Sequence, residues 1–269
     1  AAGLRSGDIL GESGGLVRMG PLKIISDGSL NTRTAYCDEP YAGGSGLAHP
    51  CGLANYSATE LTELAARATQ AGLRMAIHAI GDAAVAAALD VFAGTGATGT
   101  IEHAQLMRPA DIARMARLGV GASVQPAHLL DDRDVTAQCW PDRADRCFPL
   151  RSMVDAGVAV LLGSDAPVSV LDPWLAMAAA VHRSADEREP WNEAEALTVE
   201  QALAASTDRQ PTLGVGSRAD VVLLDADPVA PSAPAGTVAE SASSAAVAQR
   251  LRAMSVAATY VGGRRTHRA

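Results

Sequence analysis

Met75-Ala76-Ile77-His78 is a short apolar run that ends on an imidazole, and its reading decides the fold. Two runs downstream repeat the design: Thr100-Ile101-Glu102-His103 and Val160-Leu161-Leu162-Gly163-Ser164-Asp165. Short apolar runs bounded by turn residues read as buried strands, and helix-like segments separate these three. Strands alternating with helices over short connections are the signature of βα units and a parallel sheet. In a parallel barrel the reacting groups sit at the carboxyl ends of the strands, where loops shape a pocket without disturbing the core. His, His and Asp at such ends suggest a metal hydrolase site in a parallel α/β barrel.

Working outward, Pro21-Leu22-Lys23-Ile24-Ile25-Ser26-Asp27-Gly28 is a further strand, with a lysine among apolar neighbours. Strand starts at Leu22, Leu73, Gly99, Val120 and Val158 make five, where a closed barrel needs eight. The five are expected to be strands 4–8, the C-terminal portion of a TIM-type (β/α)8 barrel whose front strands lie upstream of Ala1. Ser57-Ala58-Thr59-Glu60 is a capping box, and Leu61, Leu64, Ala65 and Ala68 follow at helical spacing. Residues 82–92, 109–118, 150–156, 174–183 and 199–206 are also expected to be helical. Residues 31–56, rich in Gly, Pro and Ser, read as a long loop, and loops of that length are usually functional.

Beyond Gly214 the texture changes. Ala219-Asp220-Val221-Val222-Leu223-Leu224-Asp225 and Val256-Ala257-Ala258-Thr259-Tyr260-Val261 are β-type runs, and Gly262-Gly263 predicts a hairpin turn. Residues 226–244 are rich in Ala, Pro and Ser and read as a disordered excursion. The expected organisation is a partial barrel over residues 1–212 and a small β-sandwich segment over 213–269.

A net charge of -8 argues against a nucleic-acid groove, which would need clustered Lys and Arg. No apolar stretch approaches the roughly 18 residues needed to span a bilayer, so no membrane partner is expected. The four cysteines have no CxxC or zinc-ribbon spacing. They read as ordinary thiols of a reducing, cytoplasmic compartment, with an upstream export signal left open. The expected partner is a small-molecule substrate, and a homo-oligomer is left open.

A neutral imidazole at a strand end can hold a divalent metal through one nitrogen while a second acceptor fixes its other N–H. A strand-end carboxylate can bind the same ion or take a proton from activated water. Lys23 in a barrel wall is costly as a free cation and must be paired, deprotonated or modified. Asp27 and Glu102 are the candidate pairing partners, and carbamylation would turn the lysine into an anionic oxygen ligand. His128, after Gln125-Pro126, either faces substrate or is a solvated loop histidine. Arg33 either contacts an anionic substrate group or braces the long loop. Asp82 reads as a helix cap.

Taken in order, these pieces resemble the amidohydrolase superfamily. Within it they are similar to the amidohydrolase 3 group, YtcJ-like and N-substituted formamide deformylase-like, second half only. The resemblance is carried by Leu22-Lys23-Ile24-Ile25-Ser26-Asp27-Gly28-Ser29-Leu30 with Arg33-Thr34-Ala35, and by His78-Ala79-Ile80-Gly81-Asp82. It continues through Ile101-Glu102-His103-Ala104-Gln105, Ser123-Val124-Gln125-Pro126 with His128, and Gly163-Ser164-Asp165-Ala166-Pro167-Val168. Gly216-Ser217-Arg218-Ala219-Asp220 and the run after it look like the family's return into a β-sandwich.

The resemblance implies a hydrolase of amide-type C–N bonds using metal-activated water and one or two divalent ions, with Zn2+ expected. It implies Lys23 as a carboxylated lysine ligand, His78 and His103 as ligands, and Asp165 as both ligand and proton shuttle. Family members carry an HxH at the end of the first barrel strand, and no two of the six histidines here are one residue apart. The competing expectation is a catalytically inactive truncated paralogue or gene fragment. In a third, a separate polypeptide supplies strands one to three.

Overall fold

The computed structural model describes residues 3–208, 212–230 and 243–269. Two compact units emerge, residues 1–124 with 131–161, and residues 125–130 with 162–269. A five-stranded sheet runs in the order β1 (Leu22–Ile25), β2 (Met75–Ala79), β3 (Gly99–His103), β4 (Gly121–Val124), β5 (Val160–Leu162). The pairings of β1 with β2, β2 with β3 and β3 with β4 are parallel, as the alternation with helices predicts. Met75, Ala76, Ile77 and Ala79 are all buried, the continuous apolar run of a strand covered on both faces. β1 differs: Ile24 is buried, whereas Lys23 and Ile25 on its other face are exposed.

In the first unit, α1 (Ala58–Gln70) opens on the expected capping box, with Ser57 and Glu60 exchanging bonds. The Ser57 backbone and hydroxyl donors hold the Glu60 carboxyl below its ordinary range. The helix buries Leu61, Ala65 and Ala68. α2 (Asp82–Thr95) turns Ala84, Val85, Ala88, Leu89 and Phe92 inward, and α3 (Pro109–Leu118) turns Ile112 and Met115. Pro at the first turn and left-handed Gly119 at the end bound α3 in the usual asymmetric way. α5 (Leu150–Asp155) precedes β5.

The 31–56 loop is well anchored. Leu30, Ala35, Cys37 and Tyr41 are buried, and Tyr41 stacks on Trp140 at 5.5 Å between ring centroids. The buried Arg143 guanidinium donates to the carbonyls of Glu39 and Pro40, each at 2.9 Å. Arg108 reaches Asp38 at 3.1 Å and Asp111 at 2.8 Å, joining the loop to α3. The four cysteines are unbridged, and Cys51 alone among them is half-buried rather than buried. Burial, with help from the Asp82 carboxylate, pushes the Cys37 thiol up to about 12, and burial pushes Cys147 up as well. Thiolate is the reactive form. A disulfide reagent at pH 8 should therefore find one fast thiol, Cys51, and four after denaturation; two or more fast thiols in the native chain would contradict this burial.

The second unit contains α6 (Pro173–His182), α7 (Val199–Ser206) and α8 (Ser244–Arg252). It also holds an antiparallel sheet ordered β6 (Val221–Leu224), β7 (Val256–Val261), β8 (Arg264–Arg268). Asp172 caps α6 by accepting from Trp174 N–H at 2.9 Å, and residues Ala176 to Val181 are buried where α6 packs on α7 and α8. The predicted Gly262-Gly263 turn links β7 to β8 with φ of 57° and 75°, the left-handed pair that a tight hairpin needs. The texture change at 213 marks the approach to this single sheet of three described strands. Most of the expected excursion, residues 231–242, lies outside the described residues. The α8 helix that follows is unanticipated, because an Ala- and Ser-rich composition hides its apolar face. No described helix is long and apolar enough to cross a membrane.

Candidate metal centre

Parallel register places the first pieces of the site. Ile25 pairs with His78 and His78 with Glu102, while Lys23 pairs with Ala76. Side chains alternate along a strand, so Lys23, Ile25, His78 and Glu102 share one face. Lys23 stands one strand across and two residues back from His78, about 8 Å between Cα atoms from ordinary strand spacings. That is within reach of an extended lysine.

His103 follows Glu102 and is in register with Ala79, so regular alternation would send its ring to the opposite face. It does not go there. His103 has φ 71° and Ala104 has φ 44°, which breaks the alternation, and the two imidazoles meet edge to face at 4.6 Å between centroids. His103 is 7% exposed. Left-handed non-glycine backbone costs about 1–3 kcal/mol and persists where the surroundings hold it, often at functional positions. Arg33 and Asp165 share the feature, with φ of 54° and 55°.

Behind His78 stands Asp27, a fully buried carboxylate. Its Oδ2 accepts from the Tyr36 and Gly81 N–H groups, both at 2.9 Å, and its Oδ1 accepts from Ile80 N–H at 3.1 Å. His78 Nε2 lies 3.0 Å from the Gly28 carbonyl oxygen and 3.3 Å from Asp27 Oδ1. The Gly28 carbonyl can only accept, so His78 Nε2–H donates to it, with the Asp27 carboxyl alongside. An acceptor held at one ring nitrogen is what orients a metal-ligating imidazole.

The turn around this carboxylate is close-packed. A Cβ on Gly28 would fall 1.8 Å from Thr34 Oγ1, and one on Gly81 would fall 2.0 Å from the Tyr36 carbonyl oxygen. That carbonyl accepts from Ala84 N–H at 3.2 Å, and Asp82 Oδ1 accepts from Asp38 N–H at 3.0 Å. The loop thus sits directly on the start of α2. Asp82 is not the expected cap: Gly81 holds the cap position, and Asp82 is the buried first residue of α2, facing Arg146 at 3.4 Å.

Several expectations need correction. Lys23 is exposed on the open face of β1 rather than enclosed in a barrel wall. The carboxylates weighed as its partners are committed elsewhere, Asp27 to His78 and three backbone amides, Glu102 to the Thr100 hydroxyl. His128 is no loop histidine: it is the half-buried first residue of α4 (His128–Cys139). Arg33 is half-buried in the turn after β1, its N–H bonded to the Leu30 carbonyl at 2.9 Å. Asp165 is exposed and belongs to the second unit, and its carbonyl accepts from Val168 N–H at 2.9 Å. The structure brings His78 and His103 together with Lys23 on the shared face. Among the described residues no three His, Cys, Asp or Glu side chains form a ready metal cluster. Asp27 is the residue that sequence reasoning misplaced; an Asp-Gly pair directly after a strand was the available signal.

Comparison with known proteins agrees with the motifs. The amidohydrolase family pattern matches residues 9–267. YtcJ of Bacillus subtilis (strain 168) is 29% identical over 236 residues, covering 81% of this chain and 44% of its own. N-substituted formamide deformylase of Arthrobacter pascens is 31% identical over 192 residues, 65% of this chain and 35% of its own. Among solved structures, an uncharacterized metal-dependent hydrolase from Pyrococcus horikoshii OT3 superposes with a TM-score of 0.68 at 31% identity. That match covers 77% of this chain and 41% of the other. The chain spans less than half the length of each of these proteins. With the family pattern running over nearly all of its residues, the chain belongs to the amidohydrolase family.

Proposed function

We propose that this chain is the ligand-bearing C-terminal portion, strands 4–8, of a TIM-type barrel hydrolase that cleaves amide-type C–N bonds with a divalent metal. The observation that carries the reading is the His78–His103 pair with the Asp27 carboxylate behind it. His78, through Nδ1, and His103 would hold the ion, with a carboxylated Lys23 as the oxygen donor. Two imidazoles suit Zn2+. A divalent ion held there would supply Lewis acidity, polarising a carbonyl and lowering the pKa of bound water towards neutrality.

The remaining chemistry belongs to the chain itself. His78 is held by the Gly28 carbonyl, and His103 meets the His78 ring edge to face at 4.6 Å between ring centroids. The Asp165 carboxylate would take the proton of the attacking water and return it to the leaving amine nitrogen. The anchored 31–56 loop would cover the substrate, with Arg33 for an anionic group; His128 would contact substrate from the start of α4.

A second reading is a catalytically inactive paralogue or fragment. It is favoured by the absence of an HxH pair and, among the described residues, of any group of three His, Cys, Asp or Glu side chains that could hold a metal ion. Metal analysis separates the two. About one or two zinc equivalents in the purified chain, together with hydrolysis of a formamide or simple amide, supports the enzyme. No bound zinc after dialysis against micromolar Zn2+ supports the inactive form.

A further inference from the structure

We propose that Asp132 is a positioning residue: through Gln105 it holds the turn after β3 that keeps the His103 ring against His78. The consequence for a metal rests on the hydrolase reading; the consequence for the ring pair does not.

Asp132 lies on α4, only 7% exposed. Its Oδ2 accepts from Gln105 Nε2 at 2.9 Å, and its Oδ1 accepts from Asn31 Nδ2 at 3.4 Å. Asn31 follows β1 and Gln105 follows β3, the two strands on either side of β2. One buried carboxylate therefore ties together the segments that flank the strand carrying His78.

The turn after β3 needs such a restraint. His103 and Ala104 are consecutive non-glycine residues in the left-handed region, a conformation that persists where the surroundings hold it. Ala104 N–H donates to the Ala79 carbonyl at 3.1 Å, and Phe148 N–H donates to the Gln105 carbonyl at 2.7 Å. These bonds pin the main chain beyond His103. Relaxed to ordinary strand dihedrals, the turn would send the His103 ring to the opposite face, away from His78. Gln105 is 2% exposed, and a buried amide without its acceptor is destabilising. A carboxylate is the stronger class of acceptor for it. The bond to Asp132 thus favours the backbone conformation in which Gln105 can reach it, the one that brings the two imidazoles together.

Two substitutions at position 132 separate the hydrogen bond from the charge. Asp132→Asn removes the charge and keeps the bond, because the Gln105 amide can turn over and offer its oxygen to the new NH2 group. Asp132→Leu removes both at similar size. Gln105→Met approaches from the other side: the carboxylate stays and the amide goes.

The experiment measures the NOE between the His78 and His103 ring protons in the whole metal-free chain, each ring assigned by its loss in His78→Asn or His103→Asn. Zinc titration and thermal melts accompany it. Wild type and Asp132→Asn should both show the ring contact and bind zinc with similar affinity. Asp132→Leu and Gln105→Met should lose the contact and bind zinc about 10-fold more weakly, the low end for disturbing the support of a metal ligand. A lowered melting temperature in those two variants, with ring contact and zinc affinity intact, would make the bond merely structural and overturn the proposal. Loss in Asp132→Asn as severe as in Asp132→Leu, or a wild type without the ring contact, also overturns it. Should Asp132→Leu fail to fold, Gln105→Met decides on the same readouts. The expected ring pattern across all four proteins with no zinc uptake in any overturns the hydrolase reading and leaves the positioning role standing.

Discussion

In a preparation of this chain that hydrolyses an amide, Asp165→Asn should lower turnover about 10²–10⁴-fold, the range associated with one well-placed acid–base group. Asparagine has nearly the same size and tolerates left-handed backbone better than most residues, so the φ of 55° at this position should survive. The bond from Val168 N–H runs to the backbone carbonyl of Asp165 and does not involve the side chain. The ability to accept and return a proton is lost. Zinc content should stay close to wild type, because the imidazoles remain, and the Michaelis constant should change far less than turnover. Steady-state rates alongside metal analysis check this. A near-wild-type rate removes the shuttle role from Asp165.

Gly81→Ala should be strongly destabilising. Its φ of -77° and ψ of 152° are ordinary, so the cost does not come from the dihedrals. It comes from contact: the added Cβ would lie 2.0 Å from the Tyr36 carbonyl oxygen and 2.4 Å from its carbon. Those are backbone atoms and cannot rotate aside. Yielding means lifting the loop, which breaks the Tyr36 and Gly81 bonds to Asp27 and the Ala84 bond to Tyr36. A loss above about 3 kcal/mol is expected, at the high end for one substitution. At about 2–4 °C per kcal/mol for a chain of this size, the melting temperature should drop by roughly 6–12 °C. Gly94→Ala is the control: a Cβ there meets nothing within 4 Å, and the helix interior favours alanine. A Gly81→Ala melt within about 2 °C of wild type would show that the loop is not seated as described.

The five strands were legible because each is a short, largely apolar run closed by turn residues, the trace that a strand of a parallel sheet leaves. The metal-competent ends of β2 and β3 were legible for the same reason, since His78 and His103 close their runs. Side-chain direction was not legible. An alternating pattern sends His103 away from His78, and only the left-handed backbone at His103 and Ala104 reunites them. Lys23 looked costly because a closed wall was assumed around it, whereas its face of β1 is open. Helix α4 escaped notice because Asp131, Asp132, Arg133 and Asp134 interrupt any apolar stripe. Asp27 was taken for a counter-ion, since one carboxylate gathering amides from residues 36, 80 and 81 is a tertiary fact with no local periodicity.

Because those amides and an imidazole converge on a single buried carboxylate, mutational drift at position 27 cannot be gradual. Any change there alters two traits at once, the seating of a loop and the bearing of a ring. Substitutions that leave this turn seated would therefore have to fall on the outer rim of the 31–56 segment, leaving the residue beneath it untouched.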